Sequence, residues 1–171
     1  MSTRPAGTPE STTQQPNAGP IAILPPCPFI GATIFGEMDL SADATVQGIV
    51  TRPSSHGVGP TLDRLEALLK ARGVTVFARI DHGAGAAQAG LSMPASQVLV
   101  FGNPRAGTPL MVAAPLAAID LPFKALAWED AAGRSWLSHE DPHHLATRFG
   151  LSDAQVQALA PLVALIEQAA G

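Results

Sequence analysis

The apolar residues of this chain are unevenly spread, and that asymmetry limits what can fold. Residues 1–20, MSTRPAGTPESTTQQPNAGP, hold no large apolar side chain after Met1. Such a stretch has nothing to bury against the entropy of ordering it, which predicts a low-complexity or disordered tail over residues 1–42. From about Ala44 onward, apolar residues recur with strand and helix periods, so one core in one domain is expected there.

The run Ile21–Met38, IAILPPCPFIGATIFGEM, raises the question of a membrane span. Pro25, Pro26 and Pro28 break any helix in it, and its uninterrupted parts are too short to cross a bilayer. No membrane association and a cytoplasmic location are therefore expected. The change in composition also suggests Met38 as an alternative start. Cys27 is the sole cysteine, so an intrachain disulfide framework is excluded. With Lys+Arg 10 against Asp+Glu 14 and a net charge of −4, the chain has no basic footprint for nucleic acid.

The segment from Ala44 to Arg52 reads as a first strand with Gly48 as a bulge. Thr61 is expected to cap a helix over Leu62–Arg72, with Leu62, Leu65, Leu68 and Leu69 on one face and Gly73 as the stop. Val74, Val76, Ala78 and Ile80 alternate with Thr75, Phe77 and Arg79, the pattern of a strand with one buried face. Asp81 caps a short Ala/Gly-rich helix. Gln97–Phe101, apolar on both faces, reads as an interior strand. A loop over Gly102–Gly107 then leads into a helical turn capped by Thr108, with Pro109 at its first position. Phe123–Trp128 and Arg134–Leu137 are strands joined by a hairpin-length loop, which makes them antiparallel neighbours. Asp141 caps a helix ending near Gly150, and Ser152 with Gln155 forms a capping box for the last one. Val156, Leu159, Val163 and Ile166 make a narrow apolar stripe, which Pro161 should kink or divide. Packing on the sheet or a dimer contact would each use that stripe.

Three blocks, IDHGAGA, LVFGNPRAGTPLM and IDLPFKALAWED, resemble in order and spacing the signature blocks of the domain of unknown function 302 family, over about Gly48 to Gly150. The resemblance implies a small, dimeric α+β fold with an antiparallel sheet and helices on one side, and no agreed activity. Where the family has an aromatic and an Asn before Asp-Pro, this chain has His139 and Glu140. The expected architecture is thus a two-layer α+β domain over residues 43–150, with a mainly antiparallel sheet of about five strands. A C-terminal helix over residues 151–171 packs on it.

For chemistry, His82 is the first candidate. In the first turn of a helix capped by Asp81, the dipole favours a neutral imidazole suited to general-base work, although Asp81 as a simple cap, with His82 bonded to a neighbouring strand or a dimer mate, is the favoured reading. The stretch GNPRAGTP comes after a strand and precedes a helix, where backbone N–H groups collect around a small anionic or polar ligand. Gly102, Asn103, Arg105, Gly107 and Thr108 are its candidate ligand-binding residues, joined by Lys124 across a cleft with Asp81 or Asp120. No GK[ST] is present, which leaves nucleotide hydrolysis without support. His139, His143 and His144 are ligand types for a metal, but Asp141-Pro142 starts the helix too late to pair them, and adventitious surface histidines are the favoured reading. The sequence names no cofactor. Its best functional reading is a homodimeric small-molecule-binding or sensory module, using a cleft where DHGAGA meets GNPRAGT. An enzyme with His82 as base, or an interaction protein without ligand, are the alternatives.

Overall fold

A computed structural model describes residues 46–171. The tail over residues 1–42, the candidate start at Met38, Cys27 and the apolar run Ile21–Met38 lie outside the described residues.

Five strands form one antiparallel sheet in the order β1-β5-β4-β3-β2. They are β1 Ile49–Pro53, β2 Thr75–Asp81, β3 Ser96–Gly102, β4 Phe123–Glu129 and β5 Ser135–Glu140. All five expected strands are present, with different ends. β1 begins only at Ile49, because Gly48 is a turn residue at φ +81° that lies close against the His144 ring. A left-handed turn with no room for a Cβ is glycine's position.

The register puts Leu99, Phe101, Phe123, Ala125, Ala127, Leu137 and His139 on one face, and all are buried. Helix α1, Val58–Ala71, lays Leu62, Leu65 and Leu69 on that face at heptad-like spacing, each fully buried. It starts earlier than expected. Gly57 is its N-cap, and Thr61 sits inside the first turn, where its hydroxyl donates to the Gly57 carbonyl at 2.9 Å. A buried threonine that returns its hydroxyl to the preceding turn satisfies itself without capping anything.

Helix α2, His82–Gln88, is capped by Asp81, which accepts from Ala84 N at 2.8 Å. Helix α3, Pro104–Ala113, leads into a 3-10 turn over Pro115–Ile119. Asp141 caps α4, Pro142–Phe149, which ends at Gly150 with φ +66°. Ser152 N donates to Gln155 Oε1 at 2.8 Å at the start of α5, Asp153–Val156. Pro161 divides the C-terminal segment as expected: a 3-10 turn over Gln157–Leu159 gives way to α6, Ala160–Ala170, with the proline in its first turn. Val156, Leu159 and Ile166 are buried, and α6 packs principally on α1. The C-terminal helices therefore complete the same core as the sheet.

Candidate functional site

Two sequence features build a cleft at the β3–α3 junction. The first is the end of β3. Asn103 has extended backbone, its Oδ1 accepts from Arg105 N at 2.9 Å, and Pro104 occupies the first helical position. An Asn cap next to a proline with φ preset for helix starts α3 at once. This corrects the loop expected over Gly102–Gly107 and the cap expected at Thr108: both Thr108 and Pro109 lie inside α3. The second feature is a register shift in β2 between Val76 and Ala78. A bulge turns the intervening side chain out of the alternation. Phe77 accordingly swings to the end of the sheet, where it meets the start of α3.

The result is a cleft of about 150 Å³. Gly102, Asn103, Gly107, Thr108 and Met111 form one wall, Phe77, Leu121 and Phe123 another, and Leu159 and Leu162 close it. Its surface is almost wholly apolar, with the Thr108 hydroxyl and the Asn103 amide as its polar side-chain groups. Arg105 and Lys124 do not line it. Lys124 lies between the buried Phe123 and Ala125 on β4 and so points to the opposite face, where its Nζ donates to the Asp120 carbonyl at 2.8 Å. No cation from the sequence candidates enters the cleft, so its chemistry suits an uncharged ligand rather than an anion.

Asp81 and His82 lie elsewhere. Because β2 and β3 are antiparallel, Asp81 pairs with Gln97 while Gly102 pairs with Thr75. DHGAGA and GNPRAGT are thus at opposite ends of one ladder, roughly 17 Å apart over about five residue steps, and the cleft expected between them does not form. Both Asp81 oxygens are engaged: Oδ1 by Ala84 N and Oδ2 by Gln97 Nε2, each at 2.8 Å. His82 is exposed, and neither Asp81 oxygen is spent on it.

The histidine cluster is also dispersed. β5 continues to Glu140, so His139 falls on the inward face two residues after Leu137 and is 4% exposed, not on the surface. His143 is exposed, with Nδ1 3.6 Å from Asp153 Oδ1, and His144 packs over Gly48. Among the described residues, no group of three His, Cys, Asp or Glu side chains converges.

On the outer side of β4 and β5 a charged group gathers instead: Arg148 reaches Asp120 at 2.8 Å, and Glu140 lies within the field of Asp120, Lys124, Arg148 and His144. Partial burial raises the Glu140 carboxyl above its ordinary 4.5, and the Asp120 charge adds to the effect. A carboxyl that holds its proton more tightly when folded stabilises the fold below the unfolded value and loses that contribution as pH rises through the folded one. Glu140→Gln is therefore expected to raise the melting temperature at about pH 7 and leave it nearly unchanged at about pH 4, as differential scanning fluorimetry at the two pH values would show. The sequence marked Lys124, Asp120 and Glu140 but missed Phe77, Met111 and Leu162. Phe77 alone carried a signal, as a large aromatic on the nominally polar face of its strand.

Comparison with known proteins adds kinship. The family model described as "Domain of unknown function DUF302" matches residues 50–169, past Gly150 and through most of α6. "Fluoride-specific ion channel FluC 1" of Brucella suis biovar 1 (strain 1330) is 42% identical over 147 residues, covering 83% of this chain and 58% of that protein. "Fluoride-specific ion channel FluC 1" of Brucella abortus biovar 1 (strain 9-941) shows the same identity, over 54% of its length. The chain thus spans little more than half of these curated relatives. Among its own described residues, no helix is long and apolar enough to cross a membrane. The crystal structure of an uncharacterized conserved DUF302 protein from Bacillus stearothermophilus superposes with a TM-score of 0.61 at 20% identity, over 73% of this chain and 97% of that one. That likeness supports the fold alone. With strand order, core and family match in agreement, the chain belongs to the DUF302 family of domains of unknown function.

Proposed function

We propose that this domain is a small-molecule-binding, sensory module whose ligand is an uncharged, largely apolar compound about one ring in size, held in the cleft at the β3–α3 junction. The observation that carries the reading is the cleft itself: about 150 Å³ walled by Phe77, Met111, Leu121, Phe123 and Leu162. Apolar spaces of that size hold a benzene-sized guest. Thr108 and Asn103 supply the few polar contacts that would orient it. This replaces the anionic or polar ligand expected from sequence with an apolar one. The module works in the cytoplasm on this reading, and in longer relatives it would report the ligand to the remainder of the protein.

Indole serves as a probe. Titrated into the domain with its methionine methyls labelled, it should shift the Met111 methyl saturably. Gly107→Leu tests the place: a Cβ at Gly107 has only Met111 Cε near it, at 3.9 Å, and replacing a helical glycine gains up to about 1 kcal/mol in propensity. The variant is expected to fold and to weaken indole binding at least about tenfold. Unchanged binding would place the ligand elsewhere.

The sheet face turned away from the helices supports a homodimer. Ile80 is 47% exposed there, beside half-buried Val98, Val100 and Leu126. A second copy laid on that face would bury them. Val100→Glu is expected to convert a dimer to a monomer in sedimentation velocity, with the indole response retained.

A further inference from the structure

His139, which lines the groove between the β1 edge and α6, holds a buried ring nitrogen with no partner among the described residues. The volume of this groove is about 290 Å³, and Val50, Val156, Ala160 and Val163 form apolar walls. The His139 ring is fixed: Nδ1 lies 2.8 Å from the Glu140 carbonyl. A carbonyl only accepts, so Nδ1 carries the proton, and in the tautomer protonated at Nδ1 alone Nε2 presents a lone pair. That Nε2 is buried and has no hydrogen-bond partner among the described residues. Buried acceptors are rarely left unpaired, and an exception calls for a missing donor. The charged groups that line the groove are already engaged: Arg52 pairs with Glu167, their side chains 51% and 42% exposed, and the Asp141 carboxylate accepts from His143 N at 2.9 Å.

We infer that this groove is a second ligand site, which takes a small alcohol or phenol whose hydroxyl donates to His139 Nε2 while its apolar part lies on Val50, Val156, Ala160 and Val163. The donor set decides the class. An anion would face a lone pair, and a metal would find no third ligand among the described residues to complete its coordination. A neutral donor satisfies the nitrogen and leaves the Arg52–Glu167 pair intact. The site is distinct from the β3–α3 cleft, which shares no lining residue with it, and the two meet where the His139 ring lies 6.0 Å from that of Phe123.

The test is a titration of the full chain, labelled with ¹⁵N in its histidines, with phenol and separately with toluene, which has a similar shape but no donor. Phenol is expected to shift the His139 Nε2 resonance saturably, at least about tenfold more tightly than toluene, as a single hydrogen bond to a buried acceptor allows. Ala160→Leu, which fills the groove and leaves His139 in place, should abolish the shift. His139→Leu should remove the groove's phenol response while the Met111 methyl still answers to indole. Equal affinity for phenol and toluene, an Nε2 resonance that does not move because it is held by water alone, or an undiminished response in Ala160→Leu would each overturn the assignment. Loss of the Met111 response to indole with the His139 response intact would count against the cleft and leave this site standing.

Discussion

Phe123→Ala is expected to lower the unfolding free energy by about 3–5 kcal/mol, the range for deleting a buried aromatic side chain. Phe123 is 1% exposed, meets Phe101 edge-on at 6.1 Å between ring centroids, and lies 6.0 Å from the His139 ring. It closes the inner wall of the cleft and belongs to the shared core of sheet and helices, so its removal joins the cleft to a void in the core. The neighbours cannot collapse into that space, because Phe101 is held in β3 and Ala125 has no further reach. Urea denaturation of the two proteins measures the loss. A value under about 1 kcal/mol would mean that the cleft wall is soft and that Phe123 is not tightly packed in the core.

Asp130→Ala should have the second-largest effect, with a distinctive pH signature. Asp130 lies just beyond the end of β4, and its carboxylate organises the hairpin: Oδ1 accepts from Ala132 N and Arg134 N, both at 2.9 Å, and Oδ2 from Arg134 Nε at 2.8 Å and Trp136 Nε1 at 2.9 Å. The Arg134 N–H hydrogen bond is the largest influence on the group, and it and the other donors prevail over the opposing effect of burial, lowering the carboxyl from 3.8 to about 2. A depressed carboxyl stabilises the fold above its unfolded value and loses that contribution as pH falls through the folded one. The variant is expected to melt roughly 5–10 °C lower near neutral pH. The gap between the two proteins should narrow between 3.8 and about 2, where the wild type gives up the stabilisation that the variant never had. A gap independent of pH would contradict a role for the charged carboxylate.

Local signals carried the fold far. Asp81, Asp141 and the Ser152–Gln155 pair start helices because each puts a side-chain oxygen where backbone N–H groups are unpaired. Pro161 divides the C-terminal helices because it lacks the donor a continuous helix needs. Other boundaries were less legible. Gly57 caps α1 with no side chain to announce it, which made Thr61 the more conspicuous residue. Asn103-Pro104 and Thr108-Pro109 both fit a helix start, and the pair nearer the strand end prevails: Asn103 follows β3 directly and its Oδ1 accepts from Arg105 N.

The site depends on features that no local pattern contains. One extra residue in β2 redirects Phe77, and the antiparallel pairing of β2 with β3 separates Asp81 from Gly102. Leu159 and Leu162 reach the cleft from a segment far beyond Gly102 in the chain. Sequence reasoning could name Gly102, Asn103, Gly107 and Thr108 because they are close neighbours in the chain, but not the apolar walls that decide the ligand's character. His139 was within reach: counting by two from Leu137 puts it inward, once the strand is extended to Glu140.

The most direct measurement is extraction of bound small molecules from the domain purified from its native host, with Gly107→Leu handled in parallel, and identification by mass spectrometry. An uncharged one-ring compound enriched near stoichiometry with the wild type and absent from the variant is the predicted result. A charged compound, or the same compound retained in equal amount by Gly107→Leu, would contradict an apolar ligand site at the β3–α3 junction.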